Sequence, residues 1–380
     1  MTIDYQNVPS PCFVIDESLL RKNLSLLQSV KDRANVNIIL AFKAFSMWKL
    51  FPIIKEYITS STASSLNEAL LAYKEMGSLA HSYSPAFTDK EFPQILKFSS
   101  HITFNSFSQF EHFLPFIKKS KKNVSLGIRI NPEFNVVETD LYNPCIAGSR
   151  LGVIADSMPQ KLPKEIEGIH FHTLCESSSY DLENVLKHIE NKFEQQLKQI
   201  KWINMGGGHL ITRKGYDINH LINLLQSFKK SWNIEIILEP GSAFVWETGV
   251  LVSEVIDIVE ISGIKTAILD ISFSAHTPDC LEMPYKPWII GASQEPDKSK
   301  PTYRMGGNSC LAGDFIGEWS FEKELKKGDK IVFKDMIHYT VVKTNMFNGV
   351  SHPSIAIWND KTGLKMLRQF NYKDFKNRMN

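Results

Sequence analysis

The sequence predicts an α/β fold, in which a (β/α)8 barrel of the TIM type is followed by a mainly β C-terminal domain. Two observations predict it. Up to residue 239, short apolar segments alternate with segments of helical periodicity, and from residue 246 strand-like segments follow one another with few helices between them. Strands that alternate with helices are typical of βαβ units and a parallel sheet. We expect a barrel at 16–245 and a β domain at 246–380, to which residues 1–15 add a strand.

Eight strand-like segments support a closed barrel, and a doubly wound open sheet is the structural alternative. The segments are VNIILAF (36–42), YITSST (57–62), LAHSYS (79–84), HITFNS (101–106), VSLGIRI (124–130), EGIHFH (167–172), KWINM (201–205) and IEIILE (234–239).

Candidate helices lie between these strands, and the second of them begins with Ser65 and Glu68 in the spacing of a capping box. Residues 131–153, after the fifth strand, are predicted to form a loop. The candidate helices are SMWKLFPIIKEY (46–57), SLNEALLAYKEM (65–76), DKEFPQILKF (89–98), SFSQFEHFLPFI (106–117), YDLENVLKHIENKFEQQLKQI (180–200) and INHLINLLQSFKKSW (218–232).

The C-terminal part is predicted to be rich in strands, with a polar loop at QEPDKSKP (294–301). SPCFVID (10–16) is the expected N-terminal contribution to its sheet. The other predicted strands are VLVSEVIDIVEIS (250–262), IKTAILDIS (264–272), DKIVFKD (329–335) and HYTVVK (338–343).

The 380 residues carry a formal net charge of +2, and five cysteines are scattered without a CxxC pair. This charge balance does not favour nucleic acid or a membrane surface as the main partner. The cysteine pattern favours a reducing cytosol over disulfides or a structural zinc site. The N-terminus lacks the pattern of a signal peptide, and no apolar stretch approaches the roughly 20 residues of a membrane span. We therefore expect a cytoplasmic protein.

Four features stand where predicted strands end, which is where barrel enzymes place their chemistry. Lys43 follows the first strand, His172 ends the sixth, Gly206–Gly208 follow the seventh, and Glu239 ends the eighth. A charged group at the end of an apolar strand costs free energy unless it is paired or used. The shared position of these features predicts one site.

Each feature also has a plainer explanation. Glycines let backbone N–H groups approach a phosphate, but a tight turn that needs a positive φ also selects them. His170 and His172 fit a metal pair, although no cluster of carboxylates or cysteines stands nearby. Packing of one ring and stacking of the other on a ligand are the alternatives. Glu239 is either half of a structural salt bridge, for example with Lys43, or the partner of a protonated ring nitrogen.

A lysine that can form an imine, a glycine segment for a phosphate and a carboxylate for a pyridinium nitrogen together describe a site for pyridoxal 5'-phosphate. We therefore predict this cofactor, bound through Lys43, and no metal ion.

Several motifs give the chain a familiar pattern: PCFVID, AFKA, ASSLNEA, GIHFHT, NMGGG, EPG, GNSCLAGD, HYTVV and MFNG. Together they resemble the barrel-type, alanine-racemase-like pyridoxal-phosphate decarboxylases, the family of ornithine and diaminopimelate decarboxylases. The resemblance extends from residue 11 to residue 350. Within the family, HTPDCLEMPYKP (276–287) and GGNSCLAGD (306–314) are most similar to the members that decarboxylate carboxynorspermidine and carboxyspermidine.

The resemblance implies a role for each matching residue. Lys43 would form the imine with the cofactor, His172 would stack on its ring, and Glu239 would pair with the ring nitrogen. The Gly206–Gly208 amides and the Tyr339 hydroxyl would bind its phosphate.

The resemblance also implies a homodimer with shared active sites. Cys310 and Asp314 would come from the second subunit, and Cys310 would be the acid that returns a proton to the substrate carbon. Glu68 and Arg129 would stand behind the residues that touch the cofactor. The residues expected at the substrate are Asp270, Asp314 and Glu239.

Two departures from the family bear on these roles. Ser242 follows EPG, where the family often has an arginine on the phosphate, and Leu311 follows Cys310, where ornithine decarboxylases carry an acidic residue. Leu311 disfavours ornithine, lysine and diaminopimelate, so we expect decarboxylation of carboxyspermidine or carboxynorspermidine in polyamine biosynthesis. The alternatives are a decarboxylase of another basic amino acid, an amino-acid racemase and a non-catalytic pyridoxal-phosphate carrier. Asp279 and Glu282 are further candidates for the substrate's distal amine, although each is more simply a solvated loop charge.

Overall fold

The computed structural model describes residues 3–134, 136–137, 139–283 and 285–380. The chain divides into two compact units. One unit contains Asn23–Phe244, and the other contains the residues up to Lys22 together with Val245–Asn380.

The strands carry the labels β1 to β18 in chain order. They are β1 (Cys12–Asp16), β2 (Asn37–Ile38), β3 (Leu40–Ala41), β4 (Ser61–Ala63), β5 (Ala80–Tyr83), β6 (Ser99–Phe104), β7 (Ser125–Arg129), β8 (Ile166–His170), β9 (Trp202–Asn204), β10 (Glu235–Leu238), β11 (Gly249–Ile261), β12 (Ile264–Leu269), β13 (Ala292–Ser293), β14 (Thr302–Gly306), β15 (Phe315–Phe321), β16 (Lys330–Lys334), β17 (Ser354–Asn359) and β18 (Gly363–Arg368).

The helices are labelled in the same way, and Ala72–Met76 continues α3 as a π-helical segment. None of the helices in the described part of the chain combines the length and the apolar character that a bilayer crossing requires. The α-helices are α1 (Glu17–Ala34), α2 (Phe51–Ile54), α3 (Leu66–Leu71), α4 (Phe92–Lys97), α5 (Phe107–Ser120), α6 (Ser179–Leu197), α7 (Ile218–Trp232), α8 (Ser242–Val245), α9 (Phe273–His276), α10 (Pro278–Glu282), α11 (Thr340–Lys343) and α12 (Tyr372–Met379).

Strands β2 to β10 form a parallel sheet that closes on itself, in the order β2-β10-β9-β8-β7-β6-β5-β4-β3. β2 and β3 are two halves of the first barrel strand on either side of Ile39. β2 pairs with β10, and β3 pairs with β4. Each of the eight strand segments predicted for the barrel overlaps a strand of this sheet, so the predicted (β/α)8 barrel is confirmed.

A tryptophan fills the barrel interior at a level where two neighbouring strands carry glycine. A Cβ atom on Gly168 would lie 2.0 Å from Trp202 Cδ2, and one on Gly127 would lie 2.4 Å from Trp202 Cη2. The indole Nε1 donates to Ser125 Oγ at 2.8 Å. Residues two apart on a strand face the same way, so the side chains of Asn204, His170 and Arg129 point into the barrel one level further along the strands.

The helices α2 to α7 each overlap a predicted helical segment, but α1 is an addition to them. Its Leu20, Leu24 and Leu27 are buried at helical spacing, a signal that identifies an amphipathic helix. The predicted capping box forms only in part. Ser65 Oγ accepts the Glu68 N–H, but the Glu68 carboxylate accepts the N–H of Ser64, one residue earlier, at 2.6 Å.

The other unit is built on a mixed sheet in the order β13-β15-β14-β12-β11-β1-β17-β18, with β16 also paired to β11. β1 pairs antiparallel with β11 and parallel with β17. The predicted N-terminal strand is therefore confirmed as part of the C-terminal sheet. The predicted strands at 250–262, 264–272 and 329–335 correspond to β11, β12 and β16.

The prediction of a strand at HYTVVK is wrong, because Thr340–Lys343 forms α11. Thr and Val favour strands, but tertiary contacts decide the conformation here. The Thr340 hydroxyl donates to Asp279 Oδ2 at 2.7 Å. Just before the helix, the Thr340 N–H donates to the His338 carbonyl across Tyr339, whose φ is +49°. Such a tight turn is strained for a residue other than glycine.

Candidate active site

Lys43 lies in a turn directly after β3, and its amine reaches the loop after β8. Lys43 Nζ is 3.2 Å from His172 Nε2. The lysine keeps solvent access, yet the surrounding protein lowers the pKa of its ammonium mainly by desolvation. Glu239, Glu68 and Cys175 oppose this effect, while the positive charge of Arg129 adds to it.

His172 connects Lys43 with the glycine segment. Its second ring nitrogen, Nδ1, accepts the backbone N–H of Gly207 at 3.0 Å. Burial lowers the pKa of His172 well below its ordinary value, and the positive charge of Arg129 acts in the same direction. The imidazole is therefore neutral and held at both nitrogens.

The glycine segment follows β9 and needs glycine at each of its three positions. Gly206 and Gly208 have φ values of +67° and +88°. A Cβ atom would lie 2.4 Å from the Phe171 carbonyl oxygen at Gly206, 2.6 Å from the Glu239 carbonyl oxygen at Gly207, and 2.1 Å from the Leu174 carbonyl oxygen at Gly208. The plainer explanation, a turn with positive φ, thus holds for Gly206 and Gly208.

Two of the three glycine amides already donate within the protein. Gly206 N–H donates to Asn204 Oδ1 at 2.9 Å, and Gly207 N–H donates to His172. Among the described residues, the Gly208 N–H has no acceptor. The predicted phosphate contact thus has its clearest candidate in Gly208.

Glu239 stands directly after β10 with one oxygen engaged. Oε1 accepts the Asn204 side-chain amide at 2.6 Å, and Oε2 lies 3.9 Å from His170 Nε2. Burial raises the pKa of Glu239, while the bond from Asn204 and the positive charge of Arg129 oppose this rise. The contacts do not support the alternative of a salt bridge between Glu239 and Lys43. The polar partner of Lys43 is His172, and that of Glu239 is Asn204.

His170 and Arg129 form the level beneath these groups. Arg129 Nη2 donates to the His172 carbonyl at 3.2 Å, and its guanidinium lies 4.8 Å from the Tyr83 ring centre. His170 is 3% exposed, and no described residue forms a hydrogen bond with either of its ring nitrogens. His170 is thus the packed histidine of the pair, and no group of residues suited to a metal ion occurs in the described part of the chain.

Cys310 and Asp314 lie in one loop of the other unit, between β14 and β15. Cys310 is exposed, and its N–H donates to Asn348 Oδ1 at 2.9 Å. Asp314 is buried and accepts from the Ser274 N–H at 3.0 Å and from the Ser309 hydroxyl at 2.6 Å. Asp314 therefore shapes the loop that carries Cys310.

Asp270 follows β12 and lines a cleft of about 480 Å³. Its oxygens accept the hydroxyls of Ser10 at 2.6 Å and Ser253 at 2.8 Å. The cleft is also lined by Asn348, whose side chain holds the Cys310 amide. The predicted substrate residue Asp270 and the Cys310 loop therefore border on the same cleft.

Asp279 and Glu282 differ from each other in the structure. Asp279 is 8% exposed and accepts from Thr340, so its expected description as a solvated loop charge is wrong. Glu282 pairs with Lys343 on the surface. Asp279 is buried because α10 packs against α11, a contact between segments far apart in the chain.

Comparison with known proteins gives a consistent result. The family model "Pyridoxal-dependent decarboxylase, C-terminal sheet domain" matches residues 12–337. The carboxyaminopropylagmatine decarboxylase of Synechocystis sp. is 44% identical over 98% of this chain and 96% of its own. The carboxynorspermidine/carboxyspermidine decarboxylase of Campylobacter jejuni is 43% identical over 98% of both chains. This chain belongs to the pyridoxal-dependent decarboxylases.

A solved structure of the same family has the same fold. Carboxynorspermidine decarboxylase from Campylobacter jejuni, complexed with norspermidine, has a TM-score of 0.90 and 41% identity to this chain, covering 98% of this chain and 100% of that one. As a pyridoxal-dependent decarboxylase, the chain is an enzyme whose cofactor is pyridoxal phosphate. The prediction of that cofactor and the resemblance to the family are confirmed.

The barrel residues fit the cofactor of the pyridoxal-dependent decarboxylases. The site offers the Lys43 amine, the Gly208 N–H without an acceptor among the described residues, and Glu239 Oε2, which forms no hydrogen bond in that part of the chain. These groups match an aldehyde carbon, a phosphate and a protonated ring nitrogen.

One residue of this site, Asn204, was not predicted from the sequence. Asn204 bonds Glu239 with its amide nitrogen and Gly206 with its amide oxygen. A polar residue on an apolar strand, two positions before the first glycine, was the available signal.

Proposed function

We propose that this enzyme removes the α-carboxylate of an amino acid whose side chain contains a secondary amine, as in carboxyspermidine and carboxynorspermidine, and so serves polyamine biosynthesis. The observation that carries the reaction type is the meeting of Lys43, His172 and Glu239 at the carboxyl ends of the barrel strands. The 43% identity to the Campylobacter jejuni enzyme, which extends over 98% of both chains, supports the substrate class.

Carboxyaminopropylagmatine is a second candidate substrate, favoured by the 44% identity to the Synechocystis enzyme. It shares the amino-acid head and the secondary amine with the other two substrates but ends in a guanidinium group. Assays of CO2 release from all three compounds, with ornithine and diaminopimelate for comparison, identify the substrate. Efficient turnover of ornithine would contradict the proposal.

The bound cofactor supplies an electron sink for the electron pair that decarboxylation leaves on the α-carbon. We assign Lys43 Nζ to the covalent attachment of the cofactor. We assign Glu239 Oε2 to the hydrogen bond with the protonated nitrogen of the cofactor ring. A carboxylate beside that nitrogen favours the protonated ring. The His172 ring, which has a polar partner at both nitrogens in the structure, would stack on the cofactor ring, and the Gly206–Gly208 amides and the Tyr339 hydroxyl would bind the phosphate.

We further propose a homodimer in which Cys310 of the partner subunit returns the proton to the α-carbon. Two observations support this role. Cys310 is exposed in its own chain, and Asp314 holds the loop that carries it. Asp270, Asp314 and Glu239 are the proposed substrate contacts, with Asp270 facing the distal amine. The five cysteines, all free, agree with a cytoplasmic location.

Lys43→Ala tests the attachment site. We expect the variant to lose the visible absorbance of the lysine-bound cofactor and all measurable turnover, because alanine has no amine. Absorbance spectra and CO2 release of the purified protein measure both effects. Lys55→Ala, at an exposed position, is the matched control. Normal absorbance and turnover in Lys43→Ala would refute the assignment.

A further inference from the structure

The two hydrogen bonds of His172 fix where its proton lies. The Gly207 backbone N–H, 3.0 Å from Nδ1, can only donate, so Nδ1 must accept. A neutral imidazole has one proton, which must then be on Nε2. An imidazolium would place a second proton on Nδ1, directly against the Gly207 N–H.

This tautomer determines the charge of Lys43. His172 Nε2 lies 3.2 Å from Lys43 Nζ. Because Nε2 carries the proton, Nζ has to offer a lone pair, which an ammonium lacks and a free amine has.

We propose that His172, with its tautomer fixed by the Gly207 backbone, is a positioning residue that holds Lys43 as the free amine before the cofactor binds. A free amine attacks an aldehyde carbon with its lone pair, forming a C–N bond, and the carbonyl oxygen leaves as water with the two amine protons. An ammonium cannot begin this reaction. The inference rests on the proposed attachment role of Lys43.

The other groups around Lys43 agree with this state. Desolvation of the ammonium is the largest effect on the pKa of Lys43, and it lowers this pKa although acidic groups lie nearby. Among the described residues, the charged or titratable groups that act on Lys43 are His170 in β8, His172 and Cys175 after it, Glu239 after β10, Glu68 in α3 and Arg129 in β7. His170 and His209 additionally face His172.

Competitive labelling of the full-length, cofactor-free chain measures the charge of Lys43 directly. Trace acetic anhydride acylates only unprotonated amines, and mass spectrometry compares Lys43 with the exposed Lys55 in the same sample across a range of pH. We expect the midpoint of Lys43 reactivity to lie at or below about pH 7, roughly three pH units or more below that of Lys55, because only then is the free amine the main form at neutral pH. A Lys43 midpoint above about pH 7 would overturn the proposal.

Two variants separate the effect of His172 on the Lys43 midpoint from the effect of burial. His172→Phe removes the donor, whereas His172→Gln keeps an N–H group near the position of Nε2. We expect the Lys43 midpoint to rise by roughly half a pH unit to one unit in His172→Phe and to stay low in His172→Gln. A midpoint that is equally low in His172→Phe would attribute the shift to burial alone and overturn the role of His172.

The experiment is independent of the proposed reaction. Neither cofactor nor substrate is present, so a wrong substrate would leave the labelling result unchanged. Circular dichroism verifies the fold of each variant, and the unmodified chain alone decides whether Lys43 is a free amine.

Discussion

Asn204 shows how much a single side chain determines at this site. Its amide nitrogen donates to Glu239 at 2.6 Å, and its amide oxygen accepts from Gly206 at 2.9 Å. The donated bond favours the ionised carboxylate, whereas burial favours the neutral acid. Asn204 therefore opposes the effect of burial on the Glu239 pKa and fixes which of the carboxylate oxygens is free.

Asn204→Leu should lower turnover by about 10-fold to 100-fold, the effect of losing one hydrogen bond to a buried charge. Leucine has a similar shape but cannot donate, so the pKa of Glu239 rises and its hold on the protonated ring weakens. Steady-state kinetics at saturating cofactor, with a pH titration of the cofactor absorbance, measure the change. Asn184→Leu, on the exposed face of α6, is the control. Full activity in Asn204→Leu would show that Glu239 holds the ring proton without the bond from Asn204.

His209 makes the fold sensitive to acid. It is 1% exposed, and burial lowers its pKa from 6.5 to about 4. Between these values the unfolded chain binds a proton that the folded chain does not, so stability falls as pH falls. We expect this histidine to account for a loss of about 2 kcal/mol at pH 5 relative to pH 7.

Urea unfolding at pH 7 and pH 5 measures this loss. His209→Asn should show a smaller difference between the two pH values than the unmodified chain. His112→Asn, at an exposed position, is the matched substitution. Equal pH dependence in His209→Asn and the unmodified chain would refute the assignment to His209.

Among the elements, the barrel strands β7, β8 and β9 depend on one another through Trp202. Its indole occupies the space that Gly127 and Gly168 leave open on the neighbouring strands. Interiors are close-packed, so this arrangement leaves no room for a larger residue at either glycine.

Gly168→Ala should destabilise the protein by about 1–3 kcal/mol, because its Cβ would overlap the indole of Trp202. Chemical unfolding measures the change. Gly313→Ala is the control, since a Cβ there has no heavy atom within 4 Å. A neutral effect of Gly168→Ala would mean that the indole moves freely.

In the molecule as a whole, the proposed site residues are divided between the two units. Lys43, His172 and Glu239 belong to Asn23–Phe244, whereas Cys310 and Asp314 belong to the unit that contains Val245–Asn380. We propose that these units correspond to the predicted domains, 16–245 and 246–380 with 1–15, except that residues 16–22 and Val245 belong to the C-terminal unit. A dimer with shared sites makes a prediction about mixtures of variants.

Mixing Lys43→Ala with Cys310→Ala should restore about a quarter of the sites if each site takes its lysine and its cysteine from different chains. Half of the randomly formed dimers are mixed, and each mixed dimer has one intact site. Turnover after mixing, with subunit exchange confirmed by native mass spectrometry, measures the recovery. Either variant mixed with itself is the control, and no recovery would indicate a site built from one chain.

The barrel and the residues at its strand ends could be predicted from the sequence alone. Apolar segments at β and helical periods are local signals, and parallel strands place their carboxyl ends at one edge. Lys43, Gly206–Gly208 and Glu239 could therefore be selected before any contact was known.

The tertiary structure decided which atoms these residues use. It assigned the Gly207 N–H to His172, introduced Asn204 as the partner of Glu239, and buried Asp279. It also made HYTVV a turn and a helix, through a bond between Thr340 and a residue 61 positions earlier. A side chain's hydrogen bonds depend on groups that folding brings near it, and a one-dimensional pattern does not contain those distances.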